Sequence, residues 1–139
     1  MHTKDKGDIA EIATVFNALK RGWSVSKPVG ENQRYDLILD NGEQLIRVQC
    51  KSAKLEKNNI ISASLTRMTR RKDKYQRERY TKNEIDAFSL YCPDTDKCYL
   101  LFIEDVSSDG VLQANVNLRT HISPQNNQHK TRMAEDYIL

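Results

Sequence analysis

The dipeptide Asn41-Gly42 lies inside "YDLILDNGEQLIRVQCKSA", between two runs of alternating apolar residues, and constrains this chain more than any other feature. Both central positions of a type I′ turn need positive φ, which Asn-Gly tolerates, so residues 35–51 are expected to form an antiparallel hairpin. A two-residue loop pairs Asp40 with Glu43, and the strand period of two then sorts every side chain to one face or the other. Tyr35, Leu37, Leu39, Ile46, Val48 and Cys50 share a core face, while Asp36, Ile38, Asp40, Glu43, Leu45, Arg47, Gln49 and Lys51 share the opposite one. In that register Asp36 lies opposite Arg47 and diagonal to Gln49, near enough for Asp36 and Gln49 to converge on one ion, with Lys51 next along. The same face also reads as the solvated side of a half-buried hairpin, with Asp36 and Arg47 as a plain cross-strand pair.

The rest of the chain supplies a scaffold for such a hairpin. With 139 residues, 38% hydrophobic and 29% charged, the sequence can bury a core without disulfides or metals and is too apolar for a disordered tail. One domain, 1–139, is expected. Its first residues, "MHTKDKGD", are charged, and no run approaches the roughly 18 apolar residues of a membrane span, so an intracellular, cytoplasmic protein with no membrane partner is expected. Cys50, Cys92 and Cys98 form no CxxC pair or zinc-spaced cluster and read as reduced thiols; His2, His121 and His129 are scattered and read as surface residues.

Between Thr3 and Arg21, Ile9, Ile12, Ala13, Phe16 and Leu19 recur at helical period, and Gly22 follows where a C-cap is expected. "WSVSKPV" reads as a short strand, and "NNIISASLTR" as a third strand of the hairpin's sheet. The basic segment "RMTRRKDKYQRERYTKNE" has no clean apolar period and reads as a long loop or a solvated helix. "IDAFSLYC" and "KCYLLFIEDV", separated by "PDTD", suggest a more deeply buried strand pair; "VLQANVNLR" suggests an edge strand, "SPQNNQHKTR" a loop and "MAEDYIL" a short closing helix. The class is α/β or α+β with a mixed sheet.

Charge is distributed in blocks. Residues 54–79 hold nine Lys/Arg against three Asp/Glu, whereas residues 80–139 hold five against nine. The first helix also presents Asp8 and Glu11 three residues apart on one face. A hard divalent cation takes oxygen ligands, and phosphodiester hydrolysis is served by such a cation beside a lysine.

This arrangement resembles the PD-(D/E)xK nuclease superfamily, with Asp36 at the first acid position and "Gln49-Cys50-Lys51" at the acid-x-Lys motif, a glutamine replacing the usual acid. Over roughly residues 4–106 the chain is similar to the small PD-(D/E)xK endonucleases encoded in group I introns, the cyanobacterial type among them. The resemblance implies a restriction-endonuclease-like core, a mixed β-sheet flanked by helices. It implies a metal-dependent DNA endonuclease using Mg²⁺ (or Mn²⁺): Asp36 ligates the ion, Glu11 supports it, Gln49 and the Cys50 carbonyl complete the shell, and Lys51 orients or activates the attacking water. Asp8 is a weaker candidate ligand.

On this reading the basic block, Lys54, Lys57, Arg67, Arg70, Arg71, Lys72, Lys74, Arg77 and Arg79, lines a groove for double-stranded DNA. Ser62, Ser64, Thr66 and Arg67 are expected to enter the major groove as part of a β-ribbon, and Arg79 and Tyr80 to reach phosphates. One active site cuts one strand, so a double-strand break in a long, roughly palindromic target, as in intron homing, calls for a homodimer or homotetramer. Two alternatives stand beside it: a structure-specific nuclease such as a Holliday junction resolvase, and a DNA-binding module whose nuclease site has decayed at Gln49.

Overall fold

The computed structural model describes residues 2–121 and 132–139. Most of the expected "SPQNNQHKTR" loop, with His129, lies outside the described residues.

Helix α1 (Thr3–Lys20) leads into β1 (Ser24–Ser26), β2 (Leu37–Asp40) and β3 (Leu45–Ser52). The connection that follows carries β4 (Lys54–Leu55), β5 (Ile60–Ser64), β6 (Thr66–Arg71) and β7 (Lys74–Arg79). The chain then returns as β8 (Ala87–Cys92) and β9 (Lys97–Phe102), followed by β10 (Ser107–Ser108), β11 (Val111–Leu112) and β12 (Asn115–Arg119). A 3₁₀ turn spans Ala134–Tyr137, inside the segment expected to close as a helix. The main sheet runs β1-β2-β3-β8-β9, with β3 and β8 parallel and its other pairings antiparallel. It is a mixed sheet in an α+β protein, and strand β3 lies at its centre.

Each face of that sheet has its own apolar cluster. Leu37, Leu39, Ile46, Val48 and Cys50 pack with Ala87, Cys98 and the helix residues Ala10 and Ala18. On the other face Phe88, Leu90, Tyr99 and Leu101 pack with Ile61, Leu65, Val116 and Leu118. Helix covers one side only; the second cover is a three-stranded sheet, β12-β5-β4. Strand β5, expected in the hairpin's sheet, belongs to this second layer. Crossing from β3 to the parallel β8 takes a long connection, and β5 pairs with β12 instead (Ser62↔Asn117, Ser64↔Asn115).

Two turns differ from expectation in a linked way. The first hairpin pairs Asp40 with Leu45, not Glu43, and Leu37 with Val48. Its loop is four residues long because side chains take the turn amides: Gly42 N donates to Asp40 Oδ1, and Glu43 N and Gln44 N donate to Asn41 Oδ1. Of the two residues expected at positive φ, only Gly42 has it (91°). The register shifts by an even number, so the faces survive although every partner changes. The two-residue turn with both centres at positive φ occurs instead at Lys72 (49°) and Asp73 (64°), between β6 and β7. Residues 67–79 of the basic segment, expected as a long loop or a solvated helix, are therefore part of a two-stranded ribbon.

Helix α1 ends as expected at Gly22 (φ 83°), where Gly22 N donates to Leu19 O and Trp23 N to Ala18 O, a Schellman closure. The face it lays on the sheet carries Ala10, Thr14 and Ala18 rather than its large aliphatics. Thr14 Oγ1 meets Ser89 Oγ at 2.7 Å and donates to Ala10 O, so this buried hydroxyl pair is satisfied where helix and sheet approach closely.

Candidate active site and nucleic-acid interface

Strands β2 and β3 separate at Asp36, and the separation creates the site. Asp36 N still donates to Val48 O (2.8 Å), but Cys50 N donates to the Asp36 carboxylate at 2.9 Å, where a ladder carbonyl would otherwise accept. The four-residue loop thus puts Asp36 beyond Ile38↔Arg47 and level with Gln49. The expected Asp36–Arg47 neighbourhood is replaced: Arg47 clamps Asp86 through Nε and Nη2 (both 3.0 Å) and caps the carbonyls of Lys82 and Asn83. Loss of Arg47 as a partner leaves Asp36 to the active face.

Burial pushes the Asp36 carboxyl above the usual aspartate range; the Cys50 amide opposes this, the neighbouring Glu11 carboxylate adds to it, and Lys51 and Lys27 oppose it. Lys51 Nζ donates to Thr66 O at 2.6 Å and sits 5.4 Å from the centre of the Tyr80 ring. Burial holds this lysine below its ordinary pKa, with Asp36 raising it and Arg77 lowering it further. Glu11 reaches in from α1 and forms an ion pair with Lys27, which follows β1. Together they border a cleft of about 400 Å³ lined also by Gln33, Tyr35 and Asp36.

These donors suit a hard cation. Among the described residues no three His, Cys, Asp or Glu side chains gather into a ready cage. Mg²⁺ needs none, since it keeps several waters and takes one or two carboxylates plus substrate oxygens. Asp36 and Glu11 supply two carboxylates whose mutual repulsion a cation relieves. Gln49 Nε2 donates to the Cys50 carbonyl at 3.4 Å, so the two groups expected to complete the shell lie together. Asp8 lies exposed on α1; the Lys27 pKa is raised first by its Glu11 partner, with Asp36 and then Asp8 adding to it.

The ribbon β6–β7 starts at this site. Thr66, whose carbonyl accepts Lys51, pairs with Arg79, and Arg77 Nη1 donates to Thr66 Oγ1 at 3.2 Å. Arg67, Arg70, Arg71, Lys72, Lys74, Arg77 and Arg79 all lie on it, against two acids, Asp73 and Glu78, that pair with Arg70 and Arg71. Ser62 and Ser64 are on β5, outside the ribbon, and with Lys54 line a groove of about 830 Å³ beside the end of β3. Lys57 is exposed in the β4–β5 turn. Tyr80 differs most from expectation: it is 5% exposed, packs edge-on against Phe88, and its hydroxyl pKa is pushed up to about 12 by burial. It is a floor under Lys51 rather than a group that reaches phosphates. The sequence reading did not single out Lys27, Thr69, Tyr75 or Gln76; only the paired strands reveal that Thr69↔Gln76 and Arg70↔Tyr75 are cross-strand partners on the ribbon.

A family model for PD-(D/E)XK endonucleases matches the chain across residues 1–139. The chain belongs to the PD-(D/E)XK endonuclease family. Members of that family generally use divalent metal ions. A solved structure, that of the bacterial homing endonuclease I-Ssp6803I, superposes with a TM-score of 0.74 at 28% identity, covering 99% of this chain and 89% of that one. A search of curated protein sequences returns no match. The fold is that of a PD-(D/E)XK DNA endonuclease, and no helix among the described residues is long and apolar enough to cross a membrane.

Proposed function

We propose that this PD-(D/E)XK chain is a Mg²⁺-dependent, site-specific DNA endonuclease that makes double-strand breaks in a long, roughly palindromic target, as in intron homing. The observation that carries this reading is that Lys51, beside Asp36, donates to the first residue of the basic ribbon, so chemistry and DNA contact share one anchor. The likeness to a bacterial homing endonuclease supports the site-specific reading.

A divalent cation held here would supply Lewis-acid chemistry, polarising the scissile phosphate and lowering the pKa of an attacking water. Asp36 and Glu11 would hold it, with the Cys50 carbonyl and Gln49 completing the shell, and Glu11 would exchange its Lys27 ion pair for the cation. Lys51 exchanges the Thr66 carbonyl for water or a phosphate oxygen. Burial and Arg77 both disfavour its charged form, which suits it to pass a proton. On the ribbon, Arg70, Arg77 and Arg79 reach phosphates while Thr69 and Gln76 present hydrogen-bonding groups to base edges in the major groove. Lys54, Ser62 and Ser64 continue the DNA surface along β5. Each subunit cuts one strand, so a homodimer or homotetramer acts.

A second reading rests on Gln49: an amide brings no negative charge to the cation, leaving a domain that binds DNA without cutting it. Incubating the protein with randomised linear duplexes and with four-way junctions, in Mg²⁺ or EDTA, and sequencing the ends separates the cases. Defined ends on linear duplex in Mg²⁺ are expected. Cleavage confined to junctions would point to a resolvase, and binding with no cleavage to the decayed site.

A further inference from the structure

Three cations flank the site at Asp36, and each is held differently. Lys51 donates to the Thr66 carbonyl, Arg34 pairs with Glu84 at 2.8 Å, and Lys27 pairs with Glu11 at 2.5 Å. Of the three, Lys27 alone is paired with a carboxylate assigned to the metal. Its field reaches Asp36 as well, opposing there the effects of burial and of Glu11. Asp36 and Asp8 in turn add to the hold that Glu11 has on the ammonium. One ammonium thus balances the charge of both carboxylates, which is the electrostatic service a hard cation performs.

The two partners differ in how firmly they are held. The Glu11 side chain is 23% exposed and stands on α1, whereas the Lys27 side chain is 66% exposed at the rim of the cleft. Pro28 keeps the residue before it extended, so the root of the lysine is set while its four-carbon stem is free to swing. We propose that Lys27 is a resident counter-ion of the metal site: it holds Glu11 in place of the cation, gives it up on metal binding and passes to a DNA phosphate. Lys27 acts through Glu11 and is a positioning residue, not a catalytic one.

On the nuclease reading, which supplies the cation and the phosphate, one side chain then couples the two binding events. Lys27 replaced at Glu11 is available to the polyanion, and Lys27 engaged by a phosphate leaves Glu11 open. Metal and DNA therefore raise the affinity for one another by the same factor. A strut between α1 and the loop after β1 predicts the opposite at the metal site, because removing a strut releases Glu11 from its place.

Titration of the full chain with Mn²⁺ in the absence of DNA, read from loss of the free-ion signal in electron paramagnetic resonance, tests it. Lys27→Met is expected to tighten Mn²⁺ binding about threefold to fivefold, since no ammonium competes for Glu11, and Lys27→Arg to stay within about twofold of the wild type. In a Glu11→Gln background Lys27→Met is expected to change binding by less than about twofold. A second signature comes from a mixed-sequence duplex bound by the Lys51→Ala chain, used so that the DNA stays whole. There Lys27→Met should flatten the slope of log binding constant against log salt by about one unit in Mn²⁺ and by less than about half a unit in EDTA. Unchanged or weaker Mn²⁺ binding by Lys27→Met overturns the proposal and leaves the pair a strut; equal changes of slope in Mn²⁺ and EDTA overturn the coupling. Absence of Mn²⁺ binding by the wild type, or binding that Glu11→Gln and Asp36→Asn both leave intact, counts against the nuclease site itself.

Discussion

The hairpin β2–β3 and the ribbon β6–β7 are both antiparallel strand pairs closed by short turns, yet they lie at opposite extremes of burial. In the first, Leu37, Leu39, Ile46 and Val48 are fully or nearly fully buried against helix α1. In the second, nearly every side chain of β7 is exposed, and Met68 and Tyr75 are exposed too. On the proposed function the difference is one of role: groups that must be held to fractions of an ångström for chemistry sit on the packed pair, whose strand is fixed on both sides, and groups that must follow a long polyanion sit on a ribbon stabilised by little beyond its own ladder. The two meet at one hydrogen bond, Lys51 to Thr66.

If the division holds, the two regions fail differently. Lys51→Ala and Asp36→Ala are expected to reduce cleavage by about a thousandfold or more while DNA affinity in gel-shift titrations stays nearly unchanged. Loss of binding in both would erase the distinction. Tyr80→Ala removes the floor beneath Lys51 and should cost about 3 kcal/mol in urea unfolding, whereas Tyr80→Phe should cost little, since the ring does the packing. On the ribbon the pattern reverses: Arg70→Ala and Lys74→Ala should each flatten the slope of log binding constant against log salt by about one unit, leaving the stability of the core untouched. A salt-independent affinity would remove the ribbon from the interface.

Smaller effects test the electrostatics. Asp36 is raised above the ordinary aspartate range by burial and by Glu11, so the folded, metal-free protein holds this proton more tightly than the unfolded chain. Stability from this group is present at low pH and is lost as pH rises from about 4 through the folded value. Asp36→Asn should therefore flatten that decline in thermal melts, even as it abolishes cleavage. Because cation and proton compete for the same carboxylate, raising Mg²⁺ should move the acid limb of the cleavage profile to lower pH. An acid limb indifferent to Mg²⁺ would remove Asp36 from the metal shell. The smallest effect is at the ribbon's tip: Lys72 carries φ 49°, where Asn is better tolerated, so Lys72→Asn should slow hydrogen exchange of the ribbon amides by severalfold.

The amino-acid order alone determined parity. Alternation in "YDLILD" and "LIRVQCKS" put Leu37, Leu39, Ile46 and Val48 on one face and Asp36, Gln49 and Lys51 on the other, and this outlived a change of register because the change was even. Helix α1, its Gly22 closure and the β8–β9 pair were legible for the same reason: period and punctuation are local properties of the chain. Partners were not local. That Asp36 lies level with Gln49, that Arg47 belongs to Asp86, that Tyr80 lies under Lys51 and that β5 joins a second sheet depend on which strands meet across long separations. The helix shows the limit most plainly. Its aliphatic stripe was visible in the sequence, but only packing decided that Ala10, Thr14 and Ala18 would take the sheet, because the space over Ser89 and Cys98 admits small side chains and one hydroxyl, leaving the large ones outside.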